Sequence, residues 1–106
     1  MPLARKYFGL QFQNLTVELS ETLGFEAGSG VLVADVDPRS PAENTGIKRG
    51  FVIDPVGRYP VNSVERLEEL MEVVTSGSQV DFTVGLVRQV RGQNLRQLQT
   101  VSLNAR

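Results

Sequence analysis

Short apolar runs of period two, each closed by a glycine or a proline, recur along this chain and restrict it to short strands. Phe8, Leu10 and Phe12 alternate with Gly9, Gln11 and Gln13. In the run from Val31 to Asp37, Leu32, Ala34 and Val36 share one face while Asp35 and Asp37 share the other, and Pro38 ends it. Phe51, Val52 and Ile53 favour a third strand. Pro55 has no N–H for a ladder, so it marks an edge or a bulge there. Gly57-Arg58 suits a two-residue hairpin turn, and Pro60-Val61 resumes extended chain. Val80, Phe82, Val84 and Leu86 lie on one face of a later strand. Arg91-Gly92-Gln93-Asn94 then turns the chain, and Leu95 to Leu103 returns it.

Three segments carry helix signals instead. Thr16 can cap a short helix with Glu18 and Glu21 in its early turns, Leu19 and Leu23 four apart, and Gly24 as its stop. Ala27 to Gly30 reads as a loop. Ser40 caps a second helix of one to two turns, with Pro41 at its first position and Gly46 as terminator. Ser63 caps the longest, in which Leu67, Leu70 and Val74 form one stripe and Val64, Glu68 and Met71 the adjacent one; Gly77 ends it. The resulting order is β-α-β-α-β-β-α-β-β. It predicts an α+β domain: a compact, partly open sandwich or barrel of five to six strands, with one long and two short helices.

Composition narrows what such a domain does. With 106 residues, 41% of them hydrophobic, the chain holds one domain with its own core. The net charge of −1 gives no global pull toward nucleic acid or membrane. Arg88, Arg91, Arg96 and Arg106 follow the last acid, Asp81. Without aromatics between them they read as solvated hairpin faces, so no nucleic-acid partner is expected. There is no cysteine and no histidine, which excludes disulfides, thiolate zinc sites, cysteine nucleophiles and any histidine base. Lys6 and Lys48 are the only lysines and sit in charged segments, so a Ser-Lys pair is not expected either. Asp35 and Asp37 have no third ligand nearby in sequence, and no metal or cofactor is predicted. No apolar run approaches a membrane span, so no direct membrane insertion is expected. Met1-Pro2-Leu3 is not a signal peptide. The abrupt start reads as a domain cut from a larger protein.

The stretch Arg5-Lys6-Tyr7-Phe8-Gly9-Leu10 stands apart. A glycine at the mouth of a strand permits positive φ and close approach of another main chain or an anion. One reading is a plain glycine bulge opening a strand. The other is a nest of N–H groups, with Arg5 and Lys6 adding positive potential, that takes the carboxylate of a chain terminus. An extended peptide could then pair with the strand edge.

The segments "YFGLQF", "GSGVLVADVDPRSPAENTGIKRGFVI" and "YPVNSVERLEELMEVV", in that order, resemble a PDZ domain. The arrangement is similar to the bacterial, circularly permuted type attached to serine proteases of the high-temperature-requirement (HtrA/Deg) family. The resemblance places residues 1–6 as an N-terminal flank and 7–104 as the domain. It implies a carboxylate-binding loop of Phe8, Gly9 and Leu10 amides with Arg5 nearby, and a groove lined by Leu10, Phe12, Val64, Glu68 and Met71. Leu67, Leu70 and Val74 would face the core. Such domains often carry a histidine where this chain has Val64, so apolar ligand tails are expected here. Phe51 stands where an aspartate is common, and an exposed contact with a neighbouring domain is one use for it.

The function implied is capture of C-terminal or extended peptide segments by strand addition. The implied partners are peptide C-termini or unfolded segments and a protease domain on the same parent chain. The implied parent is a serine protease in the periplasm or cell envelope, with this segment non-catalytic. The alternative is an intramolecular docking or assembly domain of a secretion protein or a membrane-embedded metalloprotease.

Overall fold

In the computed structural model, which describes residues 2–23 and 30–106, nine elements follow one another. They are α1 (Leu3–Phe8), β1 (Leu10–Asn14), α2 (Val17–Leu23), β2 (Val31–Val36), α3 (Pro41–Asn44), β3 (Val52–Val56), α4 (Val64–Met71), β4 (Gln79–Val90) and β5 (Gln93–Asn104). The strands form one antiparallel sheet in the order β1-β2-β3-β4-β5, which leaves β1 and β5 as its edges. The expected α+β class with five strands is observed. The expected Gly24 stop and most of the Ala27–Gly30 loop lie outside the described residues.

Local chemistry accounts for most of these elements. Ser40 accepts from the Glu43 N–H, with Pro41 opening α3, and Ser63 accepts from the Arg66 N–H at the start of α4. The Thr16 hydroxyl accepts from the Leu19 N–H at 3.1 Å ahead of α2. Pro55 coincides with a register shift between Ile53 and Val56 in the β3–β4 ladder, as a residue without an N–H requires. Gly57-Arg58 closes a two-residue turn in which Val56 and Tyr59 exchange both backbone hydrogen bonds. At the far end Arg91 and Gly92 both have positive φ, the pairing a tight β-hairpin turn demands.

Differences from the sequence reading are equally specific. Phe8 does not begin a strand. It ends helix α1, and β1 starts at Leu10. The residues read as a flank are therefore partly helical, and Ala4 within them is only 1% exposed. Pro60-Val61 is not a sixth strand, because only the isolated Val56–Tyr59 bridge forms there. Helix α4 ends at Met71, well before Gly77. Phe51 is half-buried and packs on the core rather than standing out as a contact surface.

The core lies on one side of the sheet. Phe8 and Phe82 meet edge to face at 5.2 Å, among Leu10, Val33, Ile53, Leu67, Met71, Val84 and Leu103. A second cluster of Leu15, Leu32 and Val52, with Leu19 of α2 against it, covers the other face. Strand β2 is thus buried on both sides at Val31-Leu32-Val33, which explains the uninterrupted apolar run. No described helix is long and apolar enough to cross a membrane.

Candidate functional site

Strand β1 exposes one edge. The Asp37 N–H donates to the Gly9 carbonyl at 2.8 Å, and Leu10 stands opposite Val36. In that register Leu10 belongs to a non-hydrogen-bonded pair, so its own N–H and C=O point away from β2. Helix α4 runs beside this edge. The Asn14 carboxamide oxygen accepts from the Val64 N–H at 2.8 Å, fastening the start of α4 to the end of β1.

Between them lies a cavity of about 130 Å³, lined by Pro2, Ala4, Arg5, Leu10, Gln11, Phe12, Val64 and Glu68. Five residues singled out in the sequence therefore come together here: Arg5, Leu10, Phe12, Val64 and Glu68. Met71 does not join them. It is 1% exposed and borders a separate cavity with Val56, Tyr59, Leu70 and Val74. It packs instead in the main core cluster beside Leu67 and Val74. Leu67 and Val74 are buried as expected, and Leu70 is half-buried.

Gly9 has φ +76° and serves as the C-cap of α1. A Cβ there would overlap the Cβ and Oγ of Ser40, so glycine is required both by conformation and by space. The Gly9 N–H donates to the Arg5 carbonyl at 2.9 Å, and the Phe8 N–H lies within the helix. Of the three amides in the expected carboxylate loop, only that of Leu10 faces the open edge.

The charges nearby are shared. Arg5 Nε donates to Asp37 Oδ2 at 3.1 Å, and Gln11 donates to Asp37 Oδ1 at 3.3 Å. Arg106 stands 3.8 Å from the same carboxylate. Its guanidinium donates to the carbonyls of Arg5 and Lys6, and its N–H donates to that of Tyr7. This is a cation placed at the C-terminal end of α1, where bare carbonyls favour one. Lys6 extends over the Tyr7 ring, 5.4 Å from its centroid. At the other end of α1, the Glu68 carboxylate accepts from the Leu3 N–H at 2.6 Å and the Ala4 N–H at 3.0 Å. Asp37 is committed to this network, and Asp35 accepts from the Val36 N–H. Among the described residues no group of three or more acids is arranged to hold a metal.

The sequence reading missed Pro2, Ala4, Gln11, Asn14 and Arg106. Arg106 bonds to a residue 101 positions away along the chain and Asn14 to one 50 positions away, so no local pattern could flag them.

A family model described as PDZ domain matches residues 7–100. The chain belongs to the PDZ domain family. This PDZ domain is 33% identical over 82 residues to a probable periplasmic serine endoprotease DegP-like of Halomonas elongata, covering 77% of this chain and 17% of that protein. It is 30% identical over 82 residues to the DegP-like protein of Rhizobium meliloti, covering 77% and 16%. The chain thus spans about a sixth of the length of these curated relatives. Among solved structures it is similar to the HtrA-type protease AlgW with decapeptide, at TM-score 0.65 and 26% identity, covering 94% of this chain and 29% of that one. The HtrA3 PDZ domain bound to a phage-derived ligand superposes at TM-score 0.69 and 22% identity, covering 94% and 84%, a likeness of fold.

Proposed function

We propose that this PDZ domain captures C-terminal or extended peptide segments by strand addition to β1, as the substrate-recognition or regulatory module of a periplasmic HtrA/Deg-type serine protease. The observation that carries the reading is the open edge of β1 facing α4 across a cavity with an apolar floor. A peptide strand laid there pairs with the outward N–H and C=O of Leu10, in the manner of β-augmentation. Its last side chain enters the cavity at the Leu10 end, opposite Glu68, and an earlier one lies between Phe12 and Val64. Its terminal carboxylate sits by the Phe8-Gly9-Leu10 turn, near the cations Arg5 and Arg106. Met71 supports the floor from within the core.

The likeness to an AlgW structure that holds a decapeptide supports peptide binding, and the names of the DegP-like relatives support the parentage. Catalysis belongs to a protease domain of the parent, since this chain carries neither histidine nor cysteine.

One buried aliphatic side chain contributes roughly 1.5–3 kcal/mol, and hydrogen bonds to a charged group about 1.5–3 kcal/mol each. After the cost of association, dissociation constants on the order of micromolar follow. Titration with peptides that end in an apolar residue tests the reading. Peptides with a free C-terminus are expected to bind more tightly than their amidated twins, with amide shifts at residues 7–12. Equal binding by both would remove the carboxylate from the account.

A further inference from the structure

The groove is covered in this structure. Leu10 lines the cavity yet is 0% exposed, and Ala4 above it is 1% exposed. What covers it is α1, whose Leu3, Ala4 and Phe8 pack into the same apolar cluster as Leu10 and Leu67. Asn14 lies by the start of α4, so β1 and α4 run in opposite directions. Glu68, one turn further along α4, therefore faces the Leu10 end of β1, where a ligand's last side chain would enter. Glu68 is spent on α1: its carboxylate takes the Leu3 and Ala4 N–H groups. The same helix also consumes the Gly9 N–H through the Arg5 carbonyl. One element thus withholds both things a peptide end needs, the apolar floor and the amide at the turn.

We propose that α1 is an autoinhibitory strap, clamped across the β1–α4 groove by Glu68, and that peptide binding requires the strap to let go. The inference rests on the peptide-capture reading above. Unwinding α1 from its Leu3 end uncovers Leu10 and frees the Gly9 N–H in one movement. Its other end stays tethered through Arg106, which holds the Tyr7 carbonyl by its backbone and the Arg5 and Lys6 carbonyls by its side chain. A six-residue helix is marginal without such contacts, so a single carboxylate can set the balance. The apparent dissociation constant then equals the intrinsic one divided by the fraction of open molecules.

The test is fluorescence anisotropy with labelled ten-residue peptides ending in Val or Phe, each with a free and an amidated terminus. The proteins are the wild-type chain, Glu68→Ala, and Glu69→Gln as a charge control on the exposed face of α4. Loss of two charge-assisted hydrogen bonds from the closed state predicts binding by Glu68→Ala that is tighter by about ten-fold or more. The gain should be the same for free and amidated peptides, and absent in Glu69→Gln. A gain confined to free-carboxylate peptides would mean mere relief of repulsion, and would overturn the strap. So would binding by Glu68→Ala that is unchanged or weaker while the wild type binds. If neither protein binds any peptide, the peptide-capture reading itself fails and the strap falls with it. Hydrogen exchange of the free proteins adds a readout independent of peptide: the Tyr7, Phe8 and Gly9 amides are expected to exchange faster in Glu68→Ala while those of β4 keep their protection. Unchanged exchange at α1 contradicts the clamp, and loss of protection at β4 would mark general unfolding and equally remove the inference.

Discussion

Gly9 meets several structural demands at once. It ends α1 in the left-handed region, opens β1, and lets the Ser40 side chain pack directly against the backbone. A Gly9→Ala substitution meets both a strained φ and a steric overlap, so it is expected to destabilise the domain by about 2 kcal/mol or more, measured by urea unfolding. An unchanged midpoint would mean that the turn relaxes freely. Phe82, fully buried and edge-on to Phe8, answers to packing alone. Phe82→Ala is expected to cost about 3–5 kcal/mol in the same measurement. The sequence made Gly9 conspicuous, since a bare residue between Phe8 and Leu10 asks for an explanation. It gave no hint of Ser40 as the neighbour that excludes a Cβ, because that contact joins residues some thirty positions apart.

Among the elements, those that carry their own caps were legible. Ser40-Pro41 and Ser63 announce α3 and α4, and Thr16 announces α2. Helix α1 was not legible, because it has no side-chain cap of its own: Pro2 stands at its N-cap and Glu68 supplies the acceptor from 65 positions away. The spacing of Phe8, Leu10 and Phe12 imitated a strand, although Phe8 reaches the core from a helix. The two stripes of α4 were both visible, but which residue reaches the groove depends on where β1 and α1 lie against the helix, which placed Val64 and Glu68 at the cavity and Met71 in the core. The β1–α4 junction depends on Asn14. Asn14→Ala leaves the Val64 N–H without its partner and is expected to cost about 1 kcal/mol of stability. It should also weaken peptide binding, by letting α4 drift from β1. Isothermal titration alongside chemical denaturation checks both effects.

For the molecule as a whole, alternation and turn chemistry sufficed to foresee an α+β domain of five to six strands in a partly open sandwich or barrel with three helices, and the quoted motifs to foresee a PDZ domain. What they could not supply was the closing of the body by its sequence-distant contacts: Arg106 on α1, Glu68 on Leu3 and Ala4, Asn14 on α4. These are side-chain to backbone bonds across at least fifty positions, and they decide whether the groove stands open. The sheet also has two open edges, β1 and β5, and strand addition is chemically feasible at either. The most direct measurement is therefore the set of intermolecular backbone NOEs in a complex of the labelled domain with a peptide ending in an apolar residue. Contacts from the peptide backbone to Leu10, Gln11 and Phe12, with side-chain contacts to Val64, are the predicted result. Contacts running along β5 instead, with β1 unperturbed, would contradict the account.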